Sequence, residues 1–281
     1  MSTAVTAATA TATEQQVAVS PVTFPRVLHS EWIKLWSLRS TYWSVVATVL
    51  AMVLIATVMA LAAAVGAAGA DDAPGGEAAI GLGYTFAQVV VAVLGALMIT
   101  GEYSTGMIRS SLAAAPRRTP VLAAKAVLIA AVGFLLGVLG VALAYLVTLP
   151  VLGGQDAADL ADPEVQRIFW GTGLYLAGVG LLGLGLGALI RHTAGAITAA
   201  LGVLLLLSTV VQLLMLTSDW FTGVYPYLPS TAGERIASPE VTAAVDGGPV
   251  VLAPWTGFAV FMAYVAVTLI GAAVSLRRRD A

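Results

Sequence analysis

Residues Ile168–Met215 read IFWGTGLYLAGVGLLGLGLGALIRHTAGAITAALGVLLLLSTVVQLLM, and their only charged residue is Arg191. The stretch divides at Arg191 and His192 into two apolar windows, Ile168–Leu189 and Ala194–Met215. Crossing ~30 Å of hydrocarbon takes ~20 apolar residues in a helix, and each window is that long. Two such windows separated by so few residues predict a tight helical hairpin in a bilayer.

Working outward, four more windows meet the same test: Tyr42–Val65, Ile80–Ile99, Val121–Leu149 and Trp255–Leu276. Apart from Lys125, at one entrance of the third, none carries a charge. The whole chain is 59% hydrophobic and 10% charged, where a soluble domain carries about 25% charged residues and needs them on its surface. The expected fold is therefore all-α, a polytopic membrane protein with six transmembrane helices.

Basic residues are retained on the cytoplasmic side of a membrane, which orients the spans. With the N-terminus inside, eleven of the thirteen basic residues are cytoplasmic, and only Arg167 and Arg235 lie outside. Eleven of the fifteen acidic residues, Asp71, Asp156 and Asp246 among them, fall on the outer side. Both termini are thus expected in the cytoplasm. Residues 1–22 are Ala/Thr-rich without Lys or Arg, which reads as a disordered cytoplasmic tail ahead of a six-span domain, 23–281. Arginine outnumbers lysine eleven to two, which with the alanine excess suggests a GC-rich genome.

Absences narrow the chemistry. Without cysteine there is no disulfide, thiolate metal site or iron–sulfur cluster, and His29 and His192 form no spaced ligand pair. A phosphate-binding P-loop needs Gly-Lys before Ser or Thr, yet the two lysines, Lys34 and Lys125, follow Ile33 and Ala124. No enzymatic activity, cofactor or nucleic-acid partner is expected of this chain. The spans offer only Gln88, Gln212 and scattered hydroxyls as polar groups, which speaks against a proton- or sodium-coupled carrier.

Three stretches between the spans stand out. Phe24–Ser40, FPRVLHSEWIKLWSLRS, groups Leu28, Trp32, Leu35 and Trp36 on one helical face, the pattern of a helix lying in the membrane interface. That pattern suits a plain anchor as well as an elbow that touches a partner. Thr100–Lys125, TGEYSTGMIRSSLAAAPRRTPVLAAK, sets Gly106 for a turn and Pro116 as a stop. A short helix across the cytoplasmic face fits between them. A loop that only fixes topology fits the same residues. Thr217–Pro254 is long for a turn, and its aromatics and prolines suit either a re-entrant path or a surface loop. The glycine pairs Gly133/Gly137 and Gly183/Gly187 permit close helix approach, within one chain or across a dimer seam.

Glu102-x3-Gly106-x2-Arg109-x2-Leu112-x3-Pro116-x-Arg118-x6-Lys125 resembles the segment after the second span in permeases of type-2 ABC exporters. The spacing departs by one residue, with Ala113–Ala115 where the family more often has two. Glu31-Trp32-Ile33-Lys34-Leu35 resembles the family's E-W-x-K-L elbow, and Leu228-Pro229-Ser230-x-Ala232-Gly233 its L-P-S-x-A-G after the fifth span. The resemblance implies a permease subunit in the bacterial cytoplasmic membrane. It also implies pairing with a second copy or a related chain, and ATP hydrolysis in a separate ATP-binding subunit. It assigns coupling to that subunit to Trp32, Lys34, Glu102, Gly106, Arg109, Leu112, Pro116 and Arg118. Tyr227, Pro229, Ser230 and Gly233 fall to an outer re-entrant segment. The cargo is expected to be amphipathic and to move outward. The alternative is a membrane-embedded assembly protein that transports nothing.

Overall fold

The computed structural model describes residues 23–66, 76–107, 118–239 and 251–278. Their regular structure is helical throughout: α1 Phe24–Ser37, α2 Arg39–Gly66, α3 Gly76–Gly81, α4 Tyr84–Ser104, α5 Arg118–Asp156 and α6 Pro163–Ile190. These are followed by α7 Thr193–Leu214, α8 Asp219–Val224, α9 Pro229–Glu234 and α10 Pro254–Arg278. Six helices are long and apolar enough to cross a membrane: α2, α3 with α4, α5, α6, α7 and α10. Each contains or closely overlaps one window read from the sequence. A helix closes its own backbone hydrogen bonds, which is why apolar segments of this length take that form in lipid.

The hairpin forms as its sequence suggests. Asp162 caps α6 by accepting from the Glu164 N–H at 2.8 Å, and Pro163 opens the first turn. Arg191 ends the helix in the left-handed region at φ 60, its N–H bonded to the Gly187 carbonyl at 2.9 Å. His192 then starts α7, its Nδ1 accepting from the Gly195 N–H at 3.3 Å. Within α7, residues Gly202–Leu206 form a π-turn.

α6 is the axle of the bundle, packed on α4, α5 and α10. Of its most apolar window 67% is buried, against 17% for α7 and 22% each for α2 and α10, which leaves those three to face lipid or another chain. Small residues make the axle possible. A Cβ on Gly137 would stand 2.6 Å from the Gly173 Cα, and one on Gly183 would overlap the Ala92 carbonyl. Both glycine pairs are therefore spent on packing within the chain.

After α7 the path is broken. Ser218 caps the short α8, Tyr225–Tyr227 make one 3-10 turn, and Pro229 opens α9. Pro229–Gly233 and Arg235–Ser238 are buried, with α9 against α10 and α6.

Candidate functional site

Two polar clusters stand at opposite ends of the bundle. The first joins α1 to the ends of α4 and α5. Along α1 the stripe Val27, Glu31, Leu35 is buried, a repeat of four that puts a carboxylate in line with two apolar contacts. Glu31 meets Lys125 of α5 at 2.5 Å through Oε2, and Lys34 at 2.7 Å through Oε1. Glu102, in the last turn of α4, accepts from Lys125 at 2.8 Å and Lys34 at 2.9 Å, both through Oε1. The Met98 carbonyl takes a further bond from Lys125 at 3.2 Å.

Among the described residues two carboxylates and two ammoniums thus meet in a space where Glu31 and Lys125 are each 2% exposed. A buried charge is tolerated when it is paired and hydrogen-bonded, and here each has at least two partners. Burial alone would lower the pKa of Lys34, but its bonds to Glu31 and Glu102 outweigh that and hold it above the ordinary lysine value. Beside the cluster, Arg191 lies over the Tyr103 ring at 5.4 Å and donates to the Ser275 carbonyl at 3.2 Å, tying the α6–α7 turn to α4 and α10.

The structure places the coupling residues unevenly. Glu102, Lys34 and Lys125 come together, and Gly106 makes the turn after α4 at φ 72. Lys34 is not among the apolar-face residues of α1, and the structure turns its ammonium onto Glu31 and Glu102. Trp32 stays on the surface at 45% exposure, stacked at a tilt on Trp36. Arg109, Leu112 and Pro116 lie outside the described residues, and Arg118 opens α5. Glu31 was missed as a site residue: its signal was a lone acid on the amphipathic helix and a lone lysine at the mouth of a span.

The second cluster gathers around α9. The Tyr84 hydroxyl donates to Glu234 at 3.3 Å, and the Tyr175 hydroxyl to Gln88 at 2.6 Å, with the two tyrosine rings edge to face. Burial raises the Glu234 carboxyl to about 7, although the Tyr84 hydroxyl and the Arg235 charge each pull it down. Tyr225 next to it is also pushed up by burial. Arg167 of α6 donates to the carbonyls of Arg235, Ile236 and Ser238 at 3.0, 3.2 and 2.9 Å, a cation closing the C-terminal end of α9.

Of the outer-segment residues, Ser230 bonds Ser208 of α7, and the Tyr227 carbonyl accepts from Tyr264 at 3.2 Å. A Cβ on Gly233 would come within 2.7 Å of the Tyr175 ring and 2.8 Å of the Phe261 ring, so only glycine fits there. Pro229 is buried at the start of α9. Among the described residues no group of three or more His, Asp or Glu gathers to hold a metal.

Compared with known proteins, residues 7–281 match a family model described as ABC-2 family transporter protein. No curated protein matches the chain.

Proposed function

The chain belongs to the ABC-2 transporter family, a membrane permease component of ABC transporters, and from that premise we propose that it serves an ATP-driven exporter. In this reading two permeases pair, as a homodimer or with a related chain, and a separate ATP-binding subunit docks beneath them. The end carrying α1 faces the bacterial cytoplasm, because the basic residues collect there.

The carrying observation is the charge cluster that ties α1 to α4 and α5. A docking subunit pushes on the surface formed by Trp32, Lys34 and the Glu102–Arg118 connection, and the cluster makes α1 and the two spans move as one body. Arg109, Leu112 and Pro116 complete that surface, with Gly106 setting its turn. At the other end, Tyr227, Pro229, Ser230 and Gly233 shape a re-entrant gate that opens to release an amphipathic cargo outward.

The test is reconstitution in liposomes with and without the cognate ATP-binding subunit. The permease alone should neither hydrolyse ATP nor move cargo down a proton gradient, and adding the subunit should give both ATP hydrolysis and cargo movement. Glu102→Gln should uncouple the two while insertion stays intact. Gradient-driven transport by the permease alone would overturn the reading. In this cysteine-free chain, single cysteines at Asp156 and Asp246 should react with an impermeant thiol reagent in intact cells, and those at Arg191 and Arg278 should not.

A further inference from the structure

Three spans, α2, α7 and α10, turn most of their surface outward, and those surfaces differ in kind. The exposed residues of α2 from Val46 to Val65 are all apolar. Those of α10 from Phe258 to Val274 are apolar too, except Tyr264, whose hydroxyl donates to the Tyr227 carbonyl. By contrast, α7 exposes Thr198, Thr209 and Gln212 among its apolar residues. Thr209 donates its hydroxyl to the Leu205 carbonyl at 2.8 Å, but the Gln212 amide has no hydrogen bond among the described residues.

Gln212 does not stand at the edge of the apolar run. Leu213, Leu214, Met215 and Leu216 follow it, ~6 Å of helix at about 1.5 Å per residue. Helical side chains also lean toward their own N-terminus, here away from the nearer end of α7. The amide therefore leans into hydrocarbon, where an unbonded polar group is costly and a protein partner removes the cost.

The residues around Gln212 say which partner. Leu205, Thr209, Gln212 and Leu216 are all exposed and lie four, three and four residues apart, so they share one stripe of the helix. Two parallel helices that meet along such a stripe set each residue against its own copy. A glutamine side chain holds both donor and acceptor, so it complements an identical glutamine across a twofold axis. A single amide in an otherwise apolar seam also fixes register. We infer that α7 is the seam between two copies of this chain, joined by reciprocal hydrogen bonds between their Gln212 amides. The inference rests on the reading that two permeases pair, and it chooses the homodimer.

The full chain, which has no cysteine, is reconstituted alone in liposomes with one cysteine introduced at a time, then oxidised. Thr209→Cys and Leu216→Cys should give disulfide-linked dimers, since the bond needs Cβ atoms about 4 Å apart. Leu54→Cys on α2 and Val267→Cys on α10, both well exposed, should not. Association of copies labelled at the N-terminus, read by energy transfer as they are diluted in lipid, should weaken about tenfold in Gln212→Met. Methionine keeps the shape and removes the amide, and Gln212→Leu serves if that variant is not monodisperse on gel filtration. A glutamine that faced only lipid predicts unchanged or tighter association in both variants, and that result overturns the proposal. Crosslinks through α2 or α10 in place of α7 overturn it too, as does a Thr209→Cys chain that crosslinks in native membranes to a different protein and never to itself. The liposomes hold no ATP-binding subunit, so the seam is judged apart from export. Dimers that depend on Gln212 uphold the seam even where export fails, and export by a chain without them sinks the seam and spares the exporter reading.

Discussion

The two ends of the bundle solve the same problem, a carboxyl group away from water, in opposite ways. At the α1 end Glu31 and Glu102 are matched by two lysines, and the cost of burial is met by paired charge. At the α9 end Glu234 has a tyrosine hydroxyl and a neighbouring arginine whose own Nε reaches the Leu252 carbonyl at 3.4 Å. Paired charge keeps a group ionised, whereas burial that a hydroxyl and one neighbouring cation only partly offset brings a carboxyl to the edge of protonation. One end therefore holds its carboxylates by paired charge, and the other holds a carboxyl raised to about 7.

The largest effect should come from breaking the paired end. Lys125→Met leaves two buried carboxylates facing one half-exposed lysine, a loss of about 3–5 kcal/mol for an uncompensated buried charge. Thermal unfolding followed by gel-filtration fluorescence should show it as a sharply lowered midpoint. If Lys125→Met melts like the wild type, the cluster is not holding α1 in place.

A smaller effect belongs to the α9 end. The folded Glu234 titrates near 7, above its ordinary value of 4.5, so the folded state binds more protons between those two pH values. The contribution to stability is present in full at low pH, falls as pH rises from about 4.5 to about 7, and then levels. Melting curves across that window should show the slope in the wild type and its loss in Glu234→Gln. Tyr225, Tyr84 and Arg235 also face the carboxyl, and the ordinary titration ranges of tyrosine and arginine lie well above that window. An unaltered slope in the Gln variant would place the titration elsewhere.

The smallest change sharpens the contrast. Tyr84→Phe removes one bond at 3.3 Å, worth about 0.5–1.5 kcal/mol. That bond favours the ionised carboxylate, so its removal should move the Glu234 midpoint above 7. A midpoint that moves down would mean the hydroxyl favours the protonated acid instead.

The spans and the hairpin were legible because bilayer thickness imposes a length, and Arg191 with His192 interrupts an otherwise unbroken apolar run. The charge cluster was not legible, since Glu31 and Lys125 are 94 residues apart and no local period links them. The helical wheel set Trp32 and Leu35 on one face. The protein-facing stripe runs through Val27, Glu31 and Leu35 instead, and Trp32 lies off it because a carboxylate found its lysine there. Glu102 was singled out through the resemblance, and the structure gives it Lys34 and Lys125 as partners, 68 and 23 residues away. Glu234 was hidden in a run of small residues, and only the packing of α9 against Tyr84 gives it a distinct environment.

The distance between Glu31 and Lys125 also sets an order of events during synthesis. A ribosome adding roughly 5–20 residues per second takes ~5–20 s to make the 94 residues that separate them. Throughout that interval α1 exists without its lysine, and α2 and α4 are inserted before α5 arrives. Until then Glu31 has Lys34 of its own helix within reach but neither Lys125 nor the α5 surface on which α1 packs. The emergence of α5 is therefore the moment at which α1 gains its main packing partner, and a chain stalled before Lys125 would lack it.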